Sequence, residues 1–284
     1  MSHYPEQLER LLPSRDVEAV ELDALLHALR ARYGYDFRGY SLASLQRRVR
    51  KAVEGLGFAS ISELQGRVLR DEALVLELVS RFAISVTEMF RDPEVYAALR
   101  TEVLSYLRTY PSLKLWVAGC STGEEVRSLC ILLREDGLLD RTLIYATDIN
   151  PTNLEKARRG VYRREAVVGY SRNYLRAGGR GSLSDYYTAD YDAVLFDPGL
   201  VENVVFAEHS LATDAVFSEV HLVTCRNVLI YFDQPLQDRA LGLFAEALCR
   251  GGFLCLGDHE TLSHSPHRNV FTAVAPGHRV YQKR

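Results

Sequence analysis

The sequence predicts an all-α N-terminal domain followed by an α/β domain with a mostly parallel, doubly wound sheet. From about residue 16 to 108, apolar residues recur at helical spacing, as at Leu22, Leu25 and Leu29, and no strand pattern interrupts them. After Pro111, short apolar runs alternate with helical stripes, which is typical of βαβ units. We place the helical domain at residues 1–92 and the α/β domain at 93–284.

Five helices are predicted in the first part of the chain. Their apolar stripes contain, in order, Leu22–Leu29, Leu42–Leu56, Ile61–Val68, Val75–Phe82 and Tyr96–Leu107. Asp92 stands where an N-cap belongs and Pro93 at the first helical position, so we expect the fifth helix to begin there.

The second part contains four predicted strands and three predicted helices. The strands are Leu113–Ala118, Leu143–Thr147, His221–Cys225 and Phe253–Leu256, and the helices contain Val126–Leu133, Pro151–Arg159 and Leu236–Ala247, the last closing at Gly251 and Gly252. Residues 160–205, rich in Tyr, Gly and Ser, fit neither pattern. Because structureless loops of that length are uncommon, we expect a small antiparallel insert at about 160–205 rather than a long loop.

Composition excludes several classes of protein. Of 284 residues, 47% are hydrophobic and 25% charged, and the net charge is −3, so we expect a folded domain that does not bind nucleic acid. No apolar run is long enough to span a membrane and the N-terminus has no signal sequence, so we expect a cytoplasmic protein. Five scattered cysteines without a CxxC pair argue against disulfides and a metal site.

A glycine-containing turn, Gly119–Gly123, lies between a predicted strand and helix, at the sheet edge where ligands bind. It lacks the patterns of dinucleotide and phosphate loops, and Glu124 and Glu125 follow where a phosphate would sit. Asp148 ends the next strand, where an acidic side chain accepts hydrogen bonds from ribose hydroxyls in Rossmann-like folds. Together these residues favour a ribosylated cation such as S-adenosylmethionine. Alternatively, the two glutamates only favour the helix dipole and Asp148 caps a helix.

Four segments in order resemble the CheR-type chemoreceptor glutamate methyltransferases: RFAISVTEMFRDP, GCSTGEE, ATDIN with NLEKARRGVY, and TCRNVLIYF. The resemblance covers roughly residues 15–284. It implies an S-adenosylmethionine-binding domain of Rossmann-like fold, a helical N-terminal domain and a small antiparallel insert. It also implies methyl transfer to glutamate side chains of a chemoreceptor, which leaves S-adenosylhomocysteine as the product.

The resemblance also implies roles for individual residues. It places ten residues at the cofactor: Ser85, Thr87, Arg91, Gly119, Glu125, Asp148, Ser210, Leu211, Arg226 and Asn227. Arg91 and Tyr231 are the implied catalytic residues, with Tyr231 near the transferred methyl group. The family often has Asn at the positions of Ser85 and Ser210, where a hydroxyl reaches less far.

The predicted helix Ser41–Leu56 carries a basic cluster, Arg47, Arg48, Arg50 and Lys51. Such a cluster is often only a solvated face. In the resembled family the equivalent helix is implicated in docking the acidic helices of receptors, and a local positive patch suits an anionic target. We expect a monomer that reaches the membrane only through its receptor.

No general base is required for this chemistry, because a glutamate with a pKa of about 4.3 is already ionised near neutral pH. The expected contributions are exclusion of water and alignment of the reacting groups. Two alternatives remain: the same fold and cofactor with another acceptor, and a non-catalytic protein that binds the cofactor and signals by association.

Overall fold

The computed structural model describes residues 16–82 and 87–284. The chain divides into two compact units, one ending at Phe82 and one that follows it. The boundary predicted from the sequence is residue 92. The segment before residue 92 belongs with the second unit because Met89 and Phe90 are buried in that unit's core.

The first unit is helical, as the apolar stripes predict. Its helices are α1 (Val17–Tyr33), α2 (Leu42–Leu56), α3 (Ile61–Val68) and α4 (Glu72–Phe82). The predicted stripe residues Leu22, Leu25 and Leu29 are all buried. Helix α2 ends where Gly57 adopts the left-handed conformation with φ of 76°, a common way to end a helix.

The second unit is built on a seven-stranded sheet of order β6-β2-β1-β7-β8-β10-β9. The strands are β1 (Leu113–Ala118), β2 (Thr142–Asp148), β6 (Val204–Glu208), β7 (Val220–Cys225), β8 (Leu248–Leu256), β9 (Phe271–Ala275) and β10 (Val280–Lys283). The first five strands in that order run parallel, and the β9–β10 hairpin completes the sheet antiparallel. The predicted Rossmann-like α/β fold is therefore confirmed.

Helices connect these strands. They are α6 (Glu124–Glu135), α7 (Pro151–Arg159) and α9 (Gln234–Ala247), and they are preceded by α5, a continuous helix formed by Pro93–Ala98, a π-helical turn Leu99–Leu104 and Ser105–Leu107. Strand β8 begins directly after α9, although we had expected Gly251 and Gly252 to separate them. Gly251, with φ of 79°, instead lies inside β8, where the register with β7 shifts.

A separate antiparallel sheet of order β3-β5-β4 forms the predicted insert. The strands of this sheet are β3 (Val161–Arg163), β4 (Tyr187–Asp190) and β5 (Ala193–Phe196), and the insert also contains helix α8 (Val167–Arg176). We had extended the insert to about residue 205, but Val204 begins β6 and pairs with Ile144 of the main sheet. In the described ranges 16–82 and 87–284, we find no helix that is both long and apolar enough to span a bilayer.

Short 3₁₀ helices occupy several connections. They are Leu139–Arg141, Arg164–Ala166, Leu183–Tyr186, Pro198–Val201, Leu229–Tyr231, Arg268–Val270 and Pro276–His278. The one at Leu229–Tyr231 follows β7 and carries the predicted catalytic tyrosine. The order of the sheet reverses at β1, whose neighbours are β2 and β7. The loops after these three strands therefore meet at the crevice where open α/β sheets bind ligands.

Candidate functional site

The predicted glycine turn lies at this reversal point, between β1 and α6. Gly119 and Gly123 have φ values of 75° and 91°, which other residues rarely adopt. A Cβ atom on Gly119 would lie 2.5 Å from Cγ2 of Val228, and one on Gly123 would lie 2.8 Å from Cα of Ala157. Both positions therefore require glycine, for backbone conformation and for close packing.

Asp148, at the end of β2, holds the glycine turn in place. Its Oδ2 accepts the backbone N–H of Ser121 at 2.8 Å, and its Oδ1 accepts the N–H of Asn150 at 2.9 Å and the amide of Asn153 at 3.3 Å. Burial raises the pKa of this carboxyl. The structure thus brings Asp148 to the predicted site and gives it a structural task there, while its contact with a ribose stays a prediction.

Arg226, directly after β7, connects three parts of the site. Its side chain is 2% exposed. Nη2 donates to the carbonyl oxygen of Arg91 at 2.7 Å and to Oδ2 of Asp92 at 2.9 Å. Nη1 lies 3.6 Å from Oε2 of Glu125 and 3.4 Å from the hydroxyl of Tyr96. Although burial disfavours the charge, these negative and polar neighbours raise the pKa of Arg226, so it remains a cation.

Asp92 therefore has a different role from the predicted one. It precedes Pro93 as expected, but its side chain makes no capping hydrogen bond to α5. Its carboxylate pairs with Arg226 instead, and its backbone, with φ of 54°, lies in the left-handed region. Phe90, with φ of 52°, also lies in the left-handed region, which costs backbone strain for a bulky residue.

The segment before α5 is fixed to the α/β unit by its backbone. The N–H of Phe90 donates to Oγ of Ser128 at 2.8 Å, and the carbonyl of Met89 accepts the amide of Asn173 at 3.1 Å. The predicted residues Thr87 and Arg91 lie on this segment and are half-buried. Ser85, also predicted at the cofactor, lies outside the described residues.

The loop after β7 holds two more predicted residues, Asn227 and Tyr231. Asn227 has φ of 60°, and Tyr231 is half-buried in the following 3₁₀ helix. This loop depends on Glu260, whose carboxylate accepts four backbone N–H groups. Sequence reasoning missed Glu260, although an acidic residue just after a buried parallel strand is a signal that could have identified it.

The third loop of the site follows β6 and contains His209, Ser210 and Leu211. The N–H of His209 donates to the carbonyl of Asp148 at 3.2 Å, so this loop adjoins the end of β2. Leu211 is buried. The hydroxyls of Ser210 and Ser121 are buried without a hydrogen-bond partner in the described part of the chain. Buried unpaired hydroxyls are costly, and at this sheet edge they fit a polar ligand such as S-adenosylmethionine.

The predicted basic cluster on α2 is divided by the structure. Arg48 is buried, donating to the carbonyl of Phe82 and to Oγ of Ser44 at 2.8 Å, so it supports the helical unit rather than a docking face. Arg50 forms a two-fold ion pair with Glu18, at 2.5 and 2.8 Å. Arg47 and Lys51 are exposed.

Comparisons with known proteins agree with this geometry. Residues 85–276 match the family described as CheR methyltransferase, SAM binding domain, and residues 20–83 match its all-alpha domain. The chain is 51% identical to a putative methyltransferase, Cher3, of Pseudomonas putida, over 93% of this chain and 97% of that protein.

Two more distant relatives carry different functional names. A chemotaxis protein methyltransferase of Listeria monocytogenes is 29% identical over 81% of this chain and 85% of that protein. A probable biofilm formation methyltransferase, WspC, of Pseudomonas aeruginosa is 28% identical over 86% of this chain and 58% of that protein.

Proposed function

Since the chain belongs to the CheR family of S-adenosylmethionine-dependent methyltransferases, we propose that it methylates glutamate side chains of a chemoreceptor-type protein. The products are a glutamyl methyl ester and S-adenosylhomocysteine. The observation that carries the proposal is the contact of Arg226 with the backbone of Arg91 and the side chain of Asp92. It holds the backbone of the proposed catalytic arginine against the loop after β7.

The cofactor would lie along the edge formed by the loops after β1, β2, β6 and β7. The hydroxyls of Ser121 and Ser210 would receive polar partners there, and Gly119 allows close approach of the backbone. When bound, S-adenosylmethionine supplies a methyl group on a positively charged sulfur. Thr87, Glu125, Asp148, Leu211 and Asn227 complete the proposed set of contacts.

The residues of this chain have little proton chemistry to perform. A glutamate acceptor is ionised near neutral pH, so the protein has to align the carboxylate and exclude water. Arg91 would orient a carboxylate through its planar guanidinium, and Tyr231 would line the site near the methyl group. Arg226 would act beside them as a buried support rather than through the reacting atoms, because Arg91, Asp92, Tyr96 and Glu125 surround its guanidinium.

The basic face of α2 supports an acidic protein as the acceptor. After Arg48 and Arg50 are assigned to contacts within the helical unit, Arg47 and Lys51 remain as exposed charges one helical turn apart. A positive patch on a protein of net charge −3 would steer a glutamate-bearing helix toward it.

A direct assay tests the acceptor chemistry. The purified full chain is incubated with methyl-labelled S-adenosylmethionine and a methyl-accepting chemoreceptor, and the labelled protein is then treated with alkali. A glutamyl ester releases its label as volatile methanol. Alkali-stable label would contradict glutamate as the acceptor, and cofactor binding without transfer to any receptor would favour a non-catalytic signalling protein.

A further inference from the structure

We propose that Glu260 is a positioning residue that holds the loop after β7 in the conformation required for cofactor binding. The inference rests on the proposed placement of the cofactor, and it is independent of the acceptor. Glu260 is 3% exposed and follows β8, the neighbour of β7 in the sheet. It does not belong to any of the four segments on which the family resemblance depends.

Both oxygens of the Glu260 carboxylate are used. Oε1 accepts the backbone N–H groups of Val228 at 2.8 Å and Leu229 at 2.7 Å. Oε2 accepts those of Asn227 at 3.0 Å and Gly257 at 2.6 Å. One buried anion thus binds three successive N–H groups of the loop and one at the end of its own strand. Hydrogen bonds to an ionised acceptor are stronger than neutral ones.

These bonds maintain a conformation that the loop would not adopt freely. Asn227 has φ of 60°, in the left-handed region that glycine adopts freely and asparagine tolerates but most other residues avoid. The space around it is also closed, since a Cβ atom on Gly257 would lie 2.8 Å from the N of Asn227 and from Oε2 of Glu260. The carboxylate therefore holds this left-handed turn in place at a predicted cofactor residue.

The effect of Glu260 extends to the rest of the site through packing. The side chain of Val228 contacts Gly119 of the glycine turn so closely that no Cβ atom fits there. The N–H of Leu229, which Glu260 also binds, begins the 3₁₀ helix that ends at Tyr231. A shift of this loop would move Asn227 and Tyr231 and loosen the glycine turn together.

Replacement of Glu260 by glutamine tests the proposal, because the amide has nearly the same shape but only one accepting oxygen. Two of the four N–H groups would then face an NH₂ donor. We expect Glu260→Gln to weaken binding of S-adenosylhomocysteine by at least about tenfold, which corresponds to about 1.4 kcal/mol. The measurement is titration calorimetry on the purified full chain, well below the melting temperature. If this variant does not fold, Gly257→Ala tests the same loop, because its Cβ would displace Asn227 or Glu260.

Two controls separate positioning from general destabilisation. Leu139→Ala removes a buried side chain just before β2, at the opposite edge of the sheet, and should lower the melting temperature while the dissociation constant stays within about twofold. Glu260→Gln should also lose less affinity in an Asn227→Ala background than in the wild-type chain, because part of its effect acts through the position of Asn227. The proposal would be overturned if Glu260→Gln bound S-adenosylhomocysteine as tightly as the wild-type chain, or if Leu139→Ala lost as much affinity. It would also be overturned if the losses of Glu260→Gln and Asn227→Ala multiplied fully in the double variant.

These results are distinguishable from a failure of the proposed function. If the wild-type chain binds S-adenosylhomocysteine but methylates no receptor, the proposed glutamate acceptor is wrong. The role of Glu260 is then still decided by the affinities of its variants for S-adenosylhomocysteine.

Discussion

Nη2 of Arg226 lies 2.9 Å from Oδ2 of Asp92, although 134 residues separate them in the chain. The pair joins the loop after β7 to the segment that carries Arg91, and the arginine is 2% exposed while the aspartate is 33% exposed. Because one partner is nearly inaccessible to water, its charge depends on this neighbour and on Glu125. The contact therefore fixes the position of one loop of the candidate site relative to the other.

Removal of the aspartate charge should destabilise the protein. We expect Asp92→Asn to lower the free energy of unfolding by roughly 1–3 kcal/mol, since the buried guanidinium loses an ionic acceptor. Asparagine tolerates the left-handed backbone at this position, so strain does not confuse the result. Urea denaturation measures the change. Glu94→Gln is the control, because Glu94 pairs with Arg176 at an exposed site and should cost well under about 1 kcal/mol; equal losses would contradict the argument.

Arg91 should be required for turnover rather than for folding. We expect Arg91→Ala to reduce the methylation rate by about a hundredfold or more, because a reactant misplaced by about 1 Å can lose about that factor in rate. The melting temperature should change little. Arg91→Lys should recover only part of the rate, because lysine lacks the planar fork. Arg250→Ala, an exposed arginine on β8, is the control. A rate within about tenfold of wild type in Arg91→Ala would remove Arg91 from the catalytic assignment.

Gly119 should be required for cofactor binding because a side chain does not fit at this position, in addition to its left-handed backbone conformation. We expect Gly119→Ala to weaken binding of S-adenosylhomocysteine by about tenfold or more, since the new Cβ would lie 2.5 Å from Val228. Gly137 has a similar φ of 66° but nothing within 4 Å of its Cβ position, so Gly137→Ala carries the backbone cost alone. Calorimetry on both variants makes the comparison, and equal affinities would contradict it.

The exposed charges of α2 should affect capture of the receptor and not the chemical step. We expect Arg47→Glu with Lys51→Glu to raise the KM for the receptor by about tenfold at low salt, with kcat unchanged. The difference should narrow as salt increases, because screening shortens the range of charge interactions. The control is Arg32→Glu with Arg67→Glu, which changes the net charge by the same amount at exposed positions of α1 and α3. A KM that does not depend on ionic strength would exclude steering by this face.

His221 should make stability depend on pH. Burial lowers the pKa of its imidazole from the ordinary value of 6.5, and Nδ1 accepts the N–H of Lys114 at 3.0 Å, which requires an unprotonated nitrogen. The unfolded chain therefore binds a proton more readily than the folded one. The stabilisation contributed by the neutral imidazole is fully present above about pH 6.5 and decreases as the pH is lowered below that value. Urea denaturation at several pH values measures the slope. His221→Gln should lose part of it, and an identical slope would contradict the assignment.

Local sequence patterns predicted much of the secondary structure correctly. Helical spacing located α1 to α4, and short apolar runs located β1, β2 and β7. The turn at Gly119 and Gly123 was identifiable because glycine between a strand and a helix indicates a special backbone conformation. Patterns failed where a tertiary contact outweighed a local preference, as at Gly251, which lies within β8.

The arrangement of polar groups was less predictable. Arg47 and Arg48 are equivalent as letters in a basic cluster, yet one is exposed and the other is buried against Ser44 and Phe82. Asp92 has the sequence context of a helix cap, yet its carboxylate binds Arg226. Glu260 follows a buried strand, which marks it as a candidate, but nothing in the neighbouring sequence indicates that its partner is Asn227.

The sequence by itself therefore determined the helices of the first unit, the central strands β1, β2 and β7 and the position of the glycine turn, because backbone propensity and apolar periodicity act over a few neighbouring residues. Its four motif segments indicated the family. Only the tertiary structure decided which charges are buried and which partners they have. That choice depends on which strand ends become neighbours in the sheet, and on the cost of leaving a desolvated charge or N–H group without a partner.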